Sequence, residues 1–257
     1  CRFEPPVGLH LVRLAGRLHE IRASDLAFTP DEADAFWDGH GFDLDEGVRA
    51  SMHTLTEGWP AGLRMAALSL ESGEDPARFV EQWSGADRPV ADYLAGEVLA
   101  RLPEDVVTFL QRTSIVDEVD VDRAAHLSGR LDAGVLLEDL AQQGALVGSL
   151  DRHGTWFRYH ALLRTYLRAA LRRGHPDELT SLHATAARWF LDRGQPTAAL
   201  EHACATADPD FVDGILRTHG LGMLLAGAGS SVRRAITFAA PGSPATPTVL
   251  VHRALLA

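Results

Sequence analysis

One stretch breaks the rhythm of this chain. Elsewhere apolar residues recur every three or four positions, but "ALVGSLDRHGTWFRYH" at 145–160 reads as strand, turn and strand, with Asp151 to Gly154 as the tight connection. Helical segments lead up to it, and helices followed by a single hairpin predict a winged helix. After it, "HALLRTYLRAALRRG" sets Leu163, Tyr166, Leu167, Ala170 and Leu171 on one apolar face, and Arg172 and Arg173 suit the negative end of a helix dipole.

The segments before the hairpin read as helices. "FTPDEADAFWDGHG" places Thr29 before Pro30, with Glu32 three residues on, a capping-box pattern with proline at the first helical position; Gly39 and Gly41 end the segment. Further helices are expected over 45–55 and 60–70, where Leu63, Ala66, Ala67 and Leu70 repeat at i, i+3, i+4 and i+7. "DPARFVEQWSG", "PVADYLAGEVLARL", "PEDVVTFLQRTSIV", "DRAAHLSG" and "AGVLLEDLAQQG" continue the pattern. The one strand signal in the first half is a brief alternation in "LHEIRASDLAFT". Past the hairpin, "LHATAARWFLDRGQPTAALEHACATAD" reads as two helices about a Gly-Gln-Pro turn, and "PDFVDGILRTHGLGMLLAGAG" begins a similar pair, as a helical repeat array would. The fold class expected is mainly α: a helical domain, a winged helix with one β-hairpin, then the start of a superhelical arm.

Composition narrows the function classes. At 257 residues the chain is long enough for two or three small domains, and no apolar stretch approaches a membrane span, so no membrane partner is expected. The net charge of −11 would repel a nucleic-acid backbone from the chain as a whole. Cys1 and Cys204 are too few for a disulfide framework and fit a reducing cytoplasm; an opening Cys1 with no signal-peptide pattern reads as a segment of a longer protein. Twelve histidines carry no H-E-x-x-H and no paired-cysteine spacing, so no metal site is expected. No G-x-S-x-G elbow and no G-x-x-x-x-G-K-[ST] phosphate loop occurs, so neither hydrolase chemistry nor nucleotide turnover is expected of this chain, and no residue is assigned a catalytic role.

Two features remain open to a binding role. Gly58-Trp59-Pro60 is either a plain helix start, with proline in the first turn, or a flat wall of proline ring and indole against a purine. His160 is either a satisfied core or capping histidine, or a donor to a phosphate oxygen at a helix start, where free N–H groups favour anions.

Together with their surroundings these features resemble something specific. The order of "LHEIRASDLAFTPDEADAF", "LTEGWPAGLRMAALSL", "VADYLAGEVLARLPEDVVTFLQRTSIVD" and "WFRYHALLRTYLRAAL" resembles the LuxR-type large ATP-binding transcriptional regulators, a branch of the signal-transduction ATPases with numerous domains. The resemblance runs from Arg2 to about Asp208. It implies the end of an ATPase core over 1–28, a helical domain over 29–102, a winged helix over 103–174 and the start of a TPR-like arm over 175–257. In that family Pro60 corresponds to the Gly-x-Pro proline lying against adenine, with Trp59 as the intervening residue. His160 corresponds to the winged-helix histidine that contacts the β-phosphate of ADP, here flanked by Tyr159 and Ala161 in place of Met and Asp. Arg2 corresponds to the arginine after the sensor strand that reads the γ-phosphate.

The resemblance also implies ATP and ADP as cofactors of the parent protein, with magnesium held by N-terminal motifs outside this sequence and no tight nucleotide binding by this chain alone. An inducer on the arm, self-association of the activated regulator, and DNA contact through a C-terminal helix-turn-helix are the implied partners. The leading expectation is a switch module that holds an ADP-bound closed state, in a parent that is a slow ATPase switch. Two alternatives are weighed against it. A winged helix over roughly 104–173 that binds DNA directly has Arg152, His153 and Arg158 on its wing, but Asp132, Glu138 and Asp139 on neighbouring helices have the wrong sign. The other is a scaffold whose repeat arm only recruits partners.

Overall fold

The computed structural model describes residues 8–19, 21, 23–71, 75–144 and 146–239, and divides into two units, Cys1–Ala170 and Leu171–Ala257. The first unit opens with α1 (Leu9–Leu14) and the short turn α2 (Ala23–Leu26), followed by α3 (Pro30–Gly39), α4 (Glu46–Thr56), α5 (Pro60–Leu70), α6 (Pro76–Gln82) and α7 (Arg88–Tyr93). The strand expected in "LHEIRASDLAFT" does not form among the described residues there; Ala23–Leu26 takes a helical turn instead. A brief alternation without a partner strand gains no ladder hydrogen bonds, and a local turn makes its own.

Helix α3 starts at the capping box read from the sequence. The Glu32 amide donates to the Thr29 hydroxyl at 3.3 Å and the Thr29 amide donates to the Glu32 carboxylate at 2.8 Å. Its inner face buries Ala33 and Trp37, and the Trp37 indole meets Phe36 and Phe42 edge-on. Asp45 caps α4 by accepting from the Val48 amide at 2.8 Å. In α5 the expected stripe of Leu63, Ala66, Ala67 and Leu70 is buried. The apolar run "VADYLAGEVLARL" is less regular than its periodicity predicts: α7 gives way to a π turn at Leu94–Val98 and a 3-10 turn at Leu99–Arg101. Gly96 sits in the middle of that change and Pro103 lies just beyond it, both weak supports for an α-helix.

The rest of the first unit runs α8 (Glu104–Thr113), β1 (Glu118–Asp120), α9 (Val121–Ser128), α10 (Ala133–Gln142), β2 (Val147–Ser149), β3 (Trp156–Tyr159) and α11 (Ala161–Gly174), the last crossing the division at Ala170. The sheet is antiparallel in the order β1-β3-β2, with Val119 opposite Phe157 and Val147 opposite Tyr159. The expected hairpin is present, and β1 is an addition to it. A three-residue strand wedged between two helices is too short to show a period. Alternation along β3 turns Phe157 and Tyr159 into the core and Arg158 to the opposite face. The Tyr159 hydroxyl lies 2.6 Å from the buried Thr113 hydroxyl, and burial pushes its ionisation far upward.

The second unit contains two successive helical hairpins: α12 (Pro176–Asp192) with α13 (Pro196–Ala205), then α14 (Pro209–Leu225) with α15 (Gly229–Ala239). Gly194 takes φ 68° at the first turn, where Pro196 starts the next helix, and fully buried Ala187, Ala199 and Ala203 allow close approach of α12 and α13. Among the described residues no helix is long and apolar enough to cross a membrane.

Candidate functional site

The corner between α4 and α5 is built by two consecutive left-handed residues. Glu57 (φ 49°) ends α4 and Gly58 (φ 70°) follows it, so the chain reverses within two residues and enters α5 at Trp59 and Pro60. Gly58 is required twice over: its φ suits glycine, and a Cβ there would overlap the Phe28 carbonyl oxygen. The Phe28 amide donates to the Gly58 carbonyl at 2.8 Å, which ties residues 27–28 to the corner. Pro60, with no N–H, starts α5 without leaving a donor unpaired.

His160 comes from the other side, at the junction of β3 and α11. Its amide donates to the Leu146 carbonyl at 2.8 Å, and its ring lies 5.6 Å from that of Trp59, which in turn meets Tyr93 at 5.4 Å. The ring's bonds settle its tautomer. Nδ1 accepts from the Leu162 amide at 3.2 Å, so Nε2 carries the hydrogen and donates to the Thr56 carbonyl at 2.8 Å. Burial pushes the imidazole pKa below its ordinary value, with Arg158 acting the same way and Glu57 and the Thr56 carbonyl opposing it. The histidine is therefore neutral at pH 7.

Trp59, Pro60 and His160 line one cavity of about 580 Å³. Leu26 and Ala27, before the corner, and Val147 and Leu150, on and just after β2, add apolar surface to its lining. Glu57, Arg158 and His160 supply a polar end. An apolar slot with a few convergent polar groups is what a small flat ligand requires. A second cavity of similar volume lies beside α8, but its lining is polar apart from Phe109, and Arg130 there is held in ion pairs to Asp105 at 2.6 Å and Asp132 at 2.7 Å.

Of the residues singled out from the sequence, Trp59, Pro60 and His160 meet at one place although 100 positions separate Pro60 from His160. Arg2 lies outside the described residues. Sequence reasoning missed Glu57, the second residue of "TEGWPAG", and missed the β2 wall. Leu146 at φ 59° turns the chain into β2, and nothing in its residue type announces that. Among the described residues no three His, Cys, Asp or Glu side chains group as metal ligands.

The helix–strand–helix–helix–strand–strand order of α8 to β3 is that of a winged helix, and residues 95–179 match the family model described as the MalT winged helix domain. The segment from α8 to β3 is a winged helix similar to that of the MalT model. Similarity extends beyond this winged helix on both sides. The chain is 32% identical over 205 residues to the serine/threonine-protein kinase PknK of Mycobacterium tuberculosis, covering 79% of this chain and 18% of the relative. It is 31% identical over 221 residues to the HTH-type transcriptional regulator MalT of Yersinia enterocolitica, covering 85% of this chain and 24% of the relative, and 31% identical over 238 residues to that of Vibrio parahaemolyticus, covering 91% and 26%. The matches bear out the resemblance to MalT-like large regulators. The chain spans roughly a fifth to a quarter of the length of these relatives.

Proposed function

We propose that the chain is the nucleotide-sensing middle segment of an ATP-dependent LuxR-type regulator, in which the MalT-type winged helix holds an ADP-bound closed state. The observation that carries this reading is the shared cavity: Trp59 and Pro60 from the helical segment and His160 from the winged helix reach one slot. The residues fit the group at its base end, where an indole and a proline ring offer flat apolar surface to adenine. At the other end the chemistry also fits, since His160 Nε2–H, Arg158 and the first amide of α11 are donors suited to phosphate oxygens. The nucleotide supplies the bridge between the two segments, and ATP in place of ADP, together with an inducer on a TPR-like arm, favours the open state. Self-association and DNA contact through a helix-turn-helix belong to the parent regulator in the cytoplasm.

Two observations favour a regulatory role over direct DNA reading. Helix α10, the third helix of the winged helix, has the sequence AGVLLEDLAQ: it contains Glu138 and Asp139 and no Lys or Arg, where a groove reader needs positive charge. The similar relatives also include proteins named for different outputs, a kinase and transcriptional regulators, which supports a role for the shared segment upstream of either output. The test is an NMR titration of the chain with ADP and with adenosine. Pro60→Ala weakens both, and His160→Ala weakens ADP alone; binding that ignores both substitutions would remove the cavity from the account.

A further inference from the structure

The polar end of the cavity is already occupied by the chain itself. The Ala161 amide, the first of a fourteen-residue helix, donates to Glu57 Oε1 at 3.0 Å, and the Arg158 guanidinium donates to Glu57 Oε2 at 3.1 Å. The next amide, that of Leu162, is taken by His160 Nδ1, and His160 Nε2–H is taken by the Thr56 carbonyl. The donors that a phosphate would meet here thus serve acceptors of this chain, and the one that bears a negative charge is Glu57. A carboxylate and a phosphate oxygen make the same charge-assisted hydrogen bonds to a backbone amide at the positive end of a helix and to a guanidinium. The same carboxylate joins the α4–α5 corner to the β3–α11 junction, the two parts of the first unit that would have to separate if the winged helix opened.

Resting on the nucleotide reading of this cavity, we infer that Glu57 is an internal competitor for its phosphate end, a latch that a nucleotide must displace before its phosphate can reach Arg158 and the start of α11. The Ala161 amide has a single hydrogen to give, so a phosphate that takes it displaces Glu57 Oε1 from the start of α11. The consequence is regulatory. A nucleotide that displaces Glu57 replaces a bond between the two segments by a bond through itself, so the junction is held by the protein when the site is empty and by the ligand when it is filled. Adenosine, which lacks phosphate, occupies the apolar slot and leaves the latch closed.

The inference is tested on the chain with ADP, adenosine and pyrophosphate as probes, following the backbone amide signals of Trp59 and Ala161 in the wild type, Glu57→Gln and Glu57→Ala. Glutamine keeps the shape and can still accept from the Ala161 amide, which guards the fold; it loses the charge. If the latch is closed about nine-tenths of the time, removing it lowers the apparent ADP Kd about tenfold in Glu57→Ala, and by less in Glu57→Gln, which keeps an acceptor for the Ala161 amide and loses only the charge. Pyrophosphate follows ADP, and adenosine stays within about twofold because it makes no use of the released donors. ADP binding of equal strength in all three proteins, or adenosine tightening as much as ADP, overturns the role of Glu57 while leaving the cavity as a nucleotide site. No response at Trp59 in any of the three, with ADP and adenosine raised to millimolar concentration where weak binding by this chain would show, overturns the nucleotide reading itself, and the inference with it.

Discussion

Gly58→Ala is the substitution that the corner tolerates least. Two obstacles act on the same atom. An alanine at φ 70° takes the left-handed conformation, which costs an L residue about 1–2 kcal/mol relative to glycine. Its Cβ would overlap the Phe28 carbonyl oxygen and approach the Phe28 nitrogen and carbonyl carbon to 3.1 and 3.2 Å, so the 27–28 segment must move. Moving it breaks the bond from the Phe28 amide to the Gly58 carbonyl, and with it the bond from His53 Nε2 to the Phe28 carbonyl at 2.9 Å, at about 1 kcal/mol or more. The sum is a loss of about 2–4 kcal/mol. The assay is urea unfolding followed by tryptophan fluorescence, with Trp37, Trp59, Trp83 and Trp156 reporting on the first unit, and the midpoint falls with little change in slope. Gly214→Ala in α14 is the control: nothing lies within 4 Å of its Cβ position, and alanine there stabilises the second unit by about 0.5–1 kcal/mol. A Gly58→Ala protein that unfolds within about 0.5 kcal/mol of the wild type would refute the close packing of the corner on Phe28.

Other substitutions test the remaining joints. Tyr159→Phe removes the bond to the buried Thr113 hydroxyl and destabilises the first unit by about 1 kcal/mol, read by the same urea titration. Gly85→Ala places a Cβ on the Leu162 carbonyl oxygen and displaces the Gly85 amide from the Thr165 hydroxyl, so exchange of the Gly85 amide with solvent accelerates while that of Leu216 in α14 does not. Burial holds the His160 pKa below its ordinary 6.5, so as pH falls the unfolded chain takes up the proton first. The stability this provides is complete above about pH 6.5 and is lost as pH falls through the lower folded value; His160→Gln flattens the stability profile across that window.

The sequence carried local signals well. The Thr29–Glu32 capping box, the buried stripe of α5, the Asp151–Gly154 turn and the Gly194 turn are each written in residues a few positions apart, and each forms as expected. What it carried poorly depends on partners far along the chain. β1 exists because Val119 can pair with Phe157, and the run after Tyr93 leaves the α-helical path where its own glycine and the following proline offer weak support. The cavity was half legible: Trp59, Pro60 and His160 stood out by chemistry at helix starts. Its β2 wall did not, because Val147 and Leu150 look like ordinary strand and turn residues. Glu57 was hidden for a related reason. A glutamate beside a glycine reads as a solvated turn, and its partner Arg158 lies 101 positions away.

The central claim is that one nucleotide touches both the α4–α5 corner and the winged helix. Intermolecular nuclear Overhauser effects from the adenine H2 and H8 protons of ADP to assigned protons of the chain, recorded with the ¹⁵N shifts of the His160 ring, test it in a single sample. The account predicts adenine contacts to the Trp59 indole and the Pro60 ring, and a shift of His160 Nε2 that appears with ADP and not with adenosine. Adenine contacts located elsewhere on the chain, or contacts at Trp59 and Pro60 with a His160 ring that responds to neither ligand, would contradict it.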